Sequence, residues 1–219
     1  MMVSYIYNMR VIATNIGHPK EITYQGRLQT TGIYKKPVEG PIELKDHAVT
    51  GDTIGNKNVH GGKFMACYLF SSEHYSYWKD LYPHMVWDWG IFGENVTTEG
   101  LLDSEILLGN IYRIGSAVVQ ATIPREPCYK LGIKFNDQGI IDRYVAHGYP
   151  GSYVKILEEG EITTGDSIQL IEKATNSISI ADFFRFLNEK EKDQSLLSGI
   201  LTNPYLPEYK KQKLQRFVQ

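Results

Sequence analysis

The chain has 219 residues, of which 42% are hydrophobic and 22% are charged, and its formal net charge at pH 7 is -2. This composition excludes a disordered chain and suffices for one substantial domain with a small appendage. The near-neutral charge gives no reason to expect binding to nucleic acid or to an anionic membrane. Any anion that the protein binds must therefore meet a local cluster of basic side chains.

The sequence also contains features that bear on the location of the protein in the cell. The N-terminus lacks the basic patch, apolar run and cleavage site of a secretory leader, and no apolar stretch is long enough to span a bilayer. There are only two cysteines, Cys67 and Cys128, which is too few for a disulfide framework and suits a reducing compartment. We therefore expect a cytoplasmic protein that does not enter the membrane.

The first three quarters of the chain have a strand-like pattern. As far as about residue 171, segments rich in β-branched and aromatic residues alternate with glycine-bearing turns. The clearest strands are predicted at residues 111–123 and 152–157, and another at 167–171 follows a turn at 163–166. The pattern predicts a mostly β body.

Helices are predicted at four places. One lies inside the body at residues 71–83, where a serine can cap its start and a proline stops it. Ser179 and Asp182 then have capping-box spacing, and apolar residues follow them with helical periodicity. Two further amphipathic segments carry the apolar positions of residues 196–201 and 207–217.

These patterns divide the chain into a main domain at residues 1–171 and a C-terminal three-helix subdomain at residues 172–219. The second part holds no concentration of catalytic residue types, so we expect it to serve docking or dimerisation, and a homodimer is one expected assembly. The predicted fold class is mostly β with some α.

The two cysteines have very different surroundings. Cys67 lies in an apolar run, where a small thiol normally fills the core. Cys128 follows two prolines and is bracketed by Arg125 and Lys130, an environment that stabilises a thiolate able to attack electrophiles or to bind a soft metal. The alternative is a buried cysteine after a proline turn, with two solvated basic residues nearby. The residue types alone do not decide between these two interpretations.

Two further segments contain groups that can bind a ligand. In the segment 59–63, two glycines allow close approach of the backbone, and His60 and Lys63 could meet an oxyanion or a phosphate. In the segment 92–100, Asn95 and its polar neighbours could bind a polar heterocycle or a phosphate. They could equally form an Asx-type turn that caps a strand.

Most common catalytic motifs are missing. The chain contains no Walker A sequence, no GxGxxG after a strand, no GxSxG elbow, and no HExxH, CxxC or EF-hand pattern. Nucleotide, dinucleotide, serine-hydrolase and zinc-site functions therefore receive no support. A cysteine hydrolase that uses Cys128 and His60 stays open, although no orienting residue or oxyanion loop is identifiable.

The order of the segments is more specific than any one of them. Along the chain stand residues 31–41, Gly51-Asp52, His60-Gly61-Gly62, Gly93-Glu94-Asn95, Pro124-Arg125-Glu126-Pro127-Cys128 and Gly165-Asp166. Together they resemble the MOSC family, named after the C-terminal domain of the molybdenum cofactor sulfurase. The opening element and the three-helix tail are similar to its bacterial YiiM-like branch, so the resemblance spans nearly the whole chain.

The resemblance implies a β-barrel-like body that holds a molybdopterin form of the molybdenum cofactor, with Cys128 as the ligand to the metal. It also implies an oxidoreductase that reduces N-hydroxylated compounds, such as hydroxylaminopurines, with electrons from a separate reductase. The alternative is a non-enzymatic carrier, in which Cys128 holds a persulfide sulfur or delivers the cofactor to another protein.

The resemblance also assigns roles to individual side chains. Arg125, Lys35 and Lys63 are expected to contact the pterin phosphate, because a terminal phosphate needs charge-assisted donors. His60 and Asn95 are expected to line the pocket, with His60 beside Cys128 in the catalytic group.

Overall fold

The computed structural model describes residues 8–55 and 61–219, and their fold is mostly β with some α, as predicted. The strands are β1 (Arg10–Gly17), β2 (Lys20–Tyr24), β3 (Arg27–Thr31), β4 (Lys35–Pro37), β5 (Ile42–Lys45), β6 (Ala48–Val49), β7 (Cys67–Ser71), β8 (Val96–Glu99), β9 (Ile111–Ile114), β10 (Ala117–Pro124), β11 (Ser152–Glu158), β12 (Gly160–Ile162) and β13 (Ile168–Glu172). The helices of the described residues are α1 (Tyr75–Leu81), α2 (Tyr129–Phe135), α3 (Ile140–His147), α4 (Ile180–Asn188), α5 (Gln194–Thr202) and α6 (Glu208–Gln215).

Eight strands form the main sheet, in the order β13-β9-β10-β11-β7-β8-β1-β4, with only the β7 and β8 pair parallel. The sheet curls until β1 meets the start of β13, where the Val11 amide donates to the Asp166 carbonyl at 2.9 Å and the Ile168 amide donates to the Met9 carbonyl at 2.8 Å. Within the described residues no strand ladder completes this contact. The body is therefore barrel-like in its curvature but not a closed barrel.

The tail helices share the core of the sheet. Ile180, Phe183 and Leu197 are buried in the same apolar cluster as Val119 of β10 and Val154 of β11. Burial of these apolar side chains is the main force that holds the tail against the sheet. The three helices thus lie where the sequence predicts them, while the division of the chain into separable units at residues 171 and 172 stays a prediction.

The caps of the tail helices follow the sequence closely. The Ser179 hydroxyl accepts from the Asp182 amide at 3.0 Å and donates to the carboxylate of the same residue at 2.8 Å, so it begins α4 as the capping-box spacing predicts. Asp193 caps α5 through the Leu196 amide at 2.8 Å. None of the described helices combines the length and the apolar character needed to cross a bilayer.

Three predictions about the body need correction. The single strand expected at 111–123 is a hairpin, because Gly115 has a φ of +57° and turns the chain so that Ile114 pairs with Ala117. Helices α2 and α3 were not predicted at all. Helix α1 lies where expected, but no serine side chain caps it, since the Ser71 hydroxyl donates instead to the Glu73 carboxylate.

Cys67 lies in β7 and is buried in the main core, as its apolar neighbours predict. Burial raises the pKa of its thiol to about 12, so the unreactive protonated form dominates at neutral pH. We expect Cys67→Ala to lower the free energy of unfolding by about 1 kcal/mol, through the small cavity that it leaves, and to leave ligand binding unchanged. Denaturant unfolding measures the first effect. Rapid modification of Cys67 by a thiol reagent in the folded wild-type protein would contradict this core assignment.

Candidate functional site

One pocket gathers four of the six predicted site residues. Lys35, Asn95, Arg125 and Cys128 line a cavity of about 650 Å³, counted with its open mouth. His60 lies outside the described residues. Lys63 is exposed on the short 3-10 turn Lys63–Met65 and does not line the cavity.

Two loops form one side of the pocket. The first is the segment 31–33 after β3, which approaches residue 53 so closely that a Cβ on Gly32 would lie 1.7 Å from the Thr53 carbonyl oxygen. Only glycine allows this approach. The second loop is the segment 90–93 before β8, which contributes Phe92 and Gly93 to the pocket wall.

Cys128 stands opposite these loops, where β10 ends and α2 begins. Every residue of β10 is buried, so the strand is fixed by the core as far as Pro124. Pro127 restricts the backbone just before the cysteine, and the Cys128 carbonyl accepts from the Leu131 amide at 2.9 Å. The thiol is half-buried and faces the pocket, in contrast to that of Cys67.

Arg125 is the most unusual side chain of the pocket. It is only 5% exposed, and its guanidinium carbon lies 5.4 Å from the centre of the Tyr144 ring and 5.9 Å from that of Tyr68. Among the described residues, its buried Nη1 has no hydrogen-bond partner and no carboxylate lies within ion-pair distance. Burial of an unpaired charge is costly. The arrangement therefore suits an anionic ligand that supplies the missing acceptor.

Lys130 adds a second positive charge to the pocket. From the sequence, it was identified only as a basic neighbour of the Cys128 thiol. It lies on α2, is 6% exposed and lines the same pocket. None of the ion pairs between described residues includes it. Arg125 and Lys130 thus line the same pocket as Cys128.

Lys35 is in a different electrostatic situation. Its ammonium donates to the Asp52 carboxylate, and both side chains are nearly buried. Asp52 also accepts from the Gly17 amide at 2.8 Å and from the Asn95 amide group at 3.0 Å. The charge of Lys35 is therefore largely compensated inside the protein, whereas neither Arg125 nor Lys130 forms an ion pair with any described residue.

The polar atoms of Asn95 are also used within the protein. Its Nδ2 donates to Asp52, and its Oδ1 accepts from the Tyr68 amide at 3.2 Å. These bonds join β7 to the Asp52 loop. Asn95 therefore holds the pocket wall in place, and its predicted contact with a ligand stays a prediction. Asp52 and Tyr68 belong to this network but were not predicted as site residues, because their partners are distant in sequence.

The C-terminal tail contacts the segment 125–128, here called the cysteine loop, from outside the pocket. The Lys210 ammonium of α6 donates to the carboxylate of Glu126, which is next to Arg125. The Tyr209 ring lies 6.4 Å from that of Phe64, on the turn that carries Lys63. No residue of the tail lines the pocket. The tail thus positions the cysteine loop without contributing a side chain to the cavity.

The fold and the site together define a class of protein: a mostly β domain whose pocket contains a thiol and two buried cations that form no ion pair with the described residues. The family model of the MOSC domain matches residues 56–169. The YflK protein of Bacillus subtilis is 31% identical over 198 residues, which cover 90% of this chain and 89% of that protein. The chain belongs to the MOSC domain family, which is associated with the molybdenum cofactor.

Two further comparisons extend this result. The crystal structure of YiiM from Geobacillus stearothermophilus superposes with a TM-score of 0.80 at 30% sequence identity, covering 96% of this chain and 100% of that one. A protein of Gibberella moniliformis named "Reductase" is 30% identical over 172 residues, which are 77% of this chain but only 30% of that protein. Most of the fungal protein therefore lies outside the match.

Proposed function

We propose that the pocket binds the molybdenum cofactor through Cys128 and that the protein reduces N-hydroxylated compounds with electrons from a separate reductase. The observation that carries this proposal is the buried Nη1 of Arg125, which has no hydrogen-bond partner among the described residues and lies in the same cavity as Cys128. A ligand with an anionic end for the Arg125 guanidinium and a soft metal for the Cys128 thiol would bind both groups.

The residues of the pocket fit such a cofactor. A cysteine thiolate is a suitable ligand for a soft metal centre. Arg125 and Lys130 provide charge-assisted donors for a terminal phosphate. The described residues contain no group of three or more His, Cys, Asp or Glu side chains able to hold a metal ion. Among them, Cys128 is therefore our candidate for a single protein ligand to a metal that the pterin also holds.

The chain's own groups have distinct tasks in this proposal. When bound, the cofactor supplies two-electron chemistry in which molybdenum accepts an oxygen atom. Cys128 would hold the metal, and Arg125 with Lys130 would hold the phosphate. Burial raises the pKa of the Tyr153 hydroxyl at the pocket wall, so this group stays protonated and can donate a hydrogen bond to a polar substrate. Phe92 is buried and lines the same pocket.

The comparisons support the reductase part of the proposal in two ways. One relative carries the name "Reductase", and the family is associated with the molybdenum cofactor. The matched region is a minor part of that fungal protein. The rest of the fungal protein, outside the region shared with this chain, is long enough to contain an electron-donating part.

The test begins with the purified full-length chain from two hosts, one able and one unable to make the molybdenum cofactor. We expect equimolar molybdenum and pterin only from the first host. With a chemically reduced dye as electron donor, that preparation should reduce hydroxylaminopurines or amidoximes. Absence of both molybdenum and pterin would overturn the proposal. Bound cofactor without turnover, or a persulfide on Cys128 without metal, would favour the carrier alternative.

A further inference from the structure

We infer that Lys134 is a positioning residue whose ammonium joins the two loops of the pocket wall. Its Nζ donates to the Ile33 carbonyl at 2.9 Å and to the Gly90 carbonyl at 3.2 Å. Ile33 belongs to the loop 31–33, and Gly90 begins the loop 90–93. Lys134 itself lies on α2, the helix that starts directly after Cys128. One side chain thus links the cysteine helix to both loops on the other side of the pocket.

The backbone of Gly90 connects Lys134 to a buried carboxylate. Its carbonyl accepts from Lys134, and its amide donates to Glu94 Oε1 at 2.8 Å. Glu94 is fully buried and also accepts from the Tyr75 hydroxyl, the Phe92 amide and the Thr97 hydroxyl. No ion pair between described residues includes it. Opposite charges therefore act on the amide and on the carbonyl of Gly90, in the two peptide groups on either side of its Cα.

The charge on Lys134 changes near neutral pH. Burial lowers the pKa of this ammonium to about 7, although the carboxylate of Glu94 opposes the shift. The other charged groups that act on it are cations: Arg125 directly after β10, Lys35 of β4 and Lys20 of β2. The Tyr34 ring lies 5.5 Å from its Nζ. Charge-assisted hydrogen bonds are stronger than neutral ones, so deprotonation of Lys134 weakens the link between the loops.

This arrangement couples the pocket wall to the ligand. The positive charge of Arg125 lowers the pKa of Lys134. An anion bound to Arg125 offsets that charge and therefore favours the protonated form of Lys134. By linkage, protonation of Lys134 favours the anion equally. We infer that the wall tightens when an anionic ligand binds and loosens above neutral pH. The functional meaning of this coupling rests on the proposed function, but the wall itself can be tested without cofactor.

Amide hydrogen exchange of the cofactor-free, full-length protein provides the test. The reporters are the protected amides of Gly90, Phe92 and Gly93, and the Gly165 amide, bonded to the Val11 carbonyl at 2.9 Å, is the control. We expect Lys134→Met to accelerate exchange in the loop about tenfold or more, because it removes hydrogen bonds to a charged group. Exchange at Gly165 should not change.

Lys134→Arg is the matched variant, because arginine keeps its charge at every accessible pH. The exchange ratio of wild type to this variant at the loop amides should be constant near pH 6 and rise several-fold by pH 9. A flat ratio, or equal acceleration at Gly165 in Lys134→Met, would overturn the inference. If Lys134→Met does not fold, the pH series decides. Both outcomes are independent of molybdenum content, so failure here is distinguishable from failure of the proposed function.

Discussion

Replacing Cys128 with serine is expected to reduce molybdenum retention and the reduction of N-hydroxylated compounds to background. A hydroxyl has nearly the size of a thiol but is a poor ligand for a soft metal. The side chain is half-buried and lies outside the apolar core, so the melting temperature of the cofactor-free protein should change by no more than about 3 °C. Metal analysis, turnover with a reduced dye and thermal unfolding measure these three properties.

Cys67 provides the matched control for this experiment. Its thiol is buried in the core of the sheet and does not line the pocket. Cys67→Ala should therefore retain molybdenum and turnover and lose only stability, the reverse of the effect of Cys128→Ser. Full molybdenum content and turnover in Cys128→Ser would exclude the thiol as a metal ligand and end the proposed mechanism.

The parts of the fold that the sequence predicts correctly are those specified by local signals. Helix α4 begins at Ser179, the cap that the sequence indicates, and the bond that forms this cap joins residues three positions apart. Asp193 caps α5 in the same local way but was not identified from the sequence. The hairpin at 111–124 was missed because its only turn signal is Gly115 within an apolar pattern. A two-residue turn interrupts such a pattern too briefly for the periodicity to show it.

Helices α2 and α3 were missed for a different reason. Each has eight residues or fewer, which is too short for a clear helical period. A signal was nevertheless present at α3, where Ile140 and Tyr144 are four residues apart and Gly148 ends the helix in the left-handed region. Both helices are stabilised by the aromatic cluster around Trp78, and that packing joins residues far apart in sequence.

The candidate site shows the same limit. Arg125 and Cys128 are close in sequence, so the motif alone places them together. Two other properties of the site depend on which distant residues the fold brings near. Arg125 Nη1 has no hydrogen-bond acceptor among the described residues, and the Lys35 ammonium is bonded to the Asp52 carboxylate. Sequence patterns show which charges are available. Only the packed structure shows which of them are compensated.

Because Arg125 has no ion-pair partner among the described residues, we expect Arg125→Met to have opposite effects on stability and on cofactor binding. An unpaired buried charge destabilises a fold, and its replacement by an apolar side chain of similar length is often neutral or stabilising. The free energy of unfolding of the cofactor-free protein should therefore stay constant or rise by about 1 kcal/mol. Cofactor retention should fall by about 10- to 100-fold, because the phosphate loses a charge-assisted donor while Lys130 remains.

Arg113→Met is the matched control for this prediction, since it removes the same side chain from the surface. Arg113 is largely solvated, and its 3.9 Å ion pair with Glu158 is exposed, so its loss should change stability by no more than about 1 kcal/mol and leave cofactor retention intact. Denaturant unfolding of cofactor-free protein and pterin analysis of loaded protein measure the two effects separately. If Arg125→Met instead unfolds the cofactor-free protein and retains the cofactor whenever it folds, Arg125 has a structural role and another group must hold the anion.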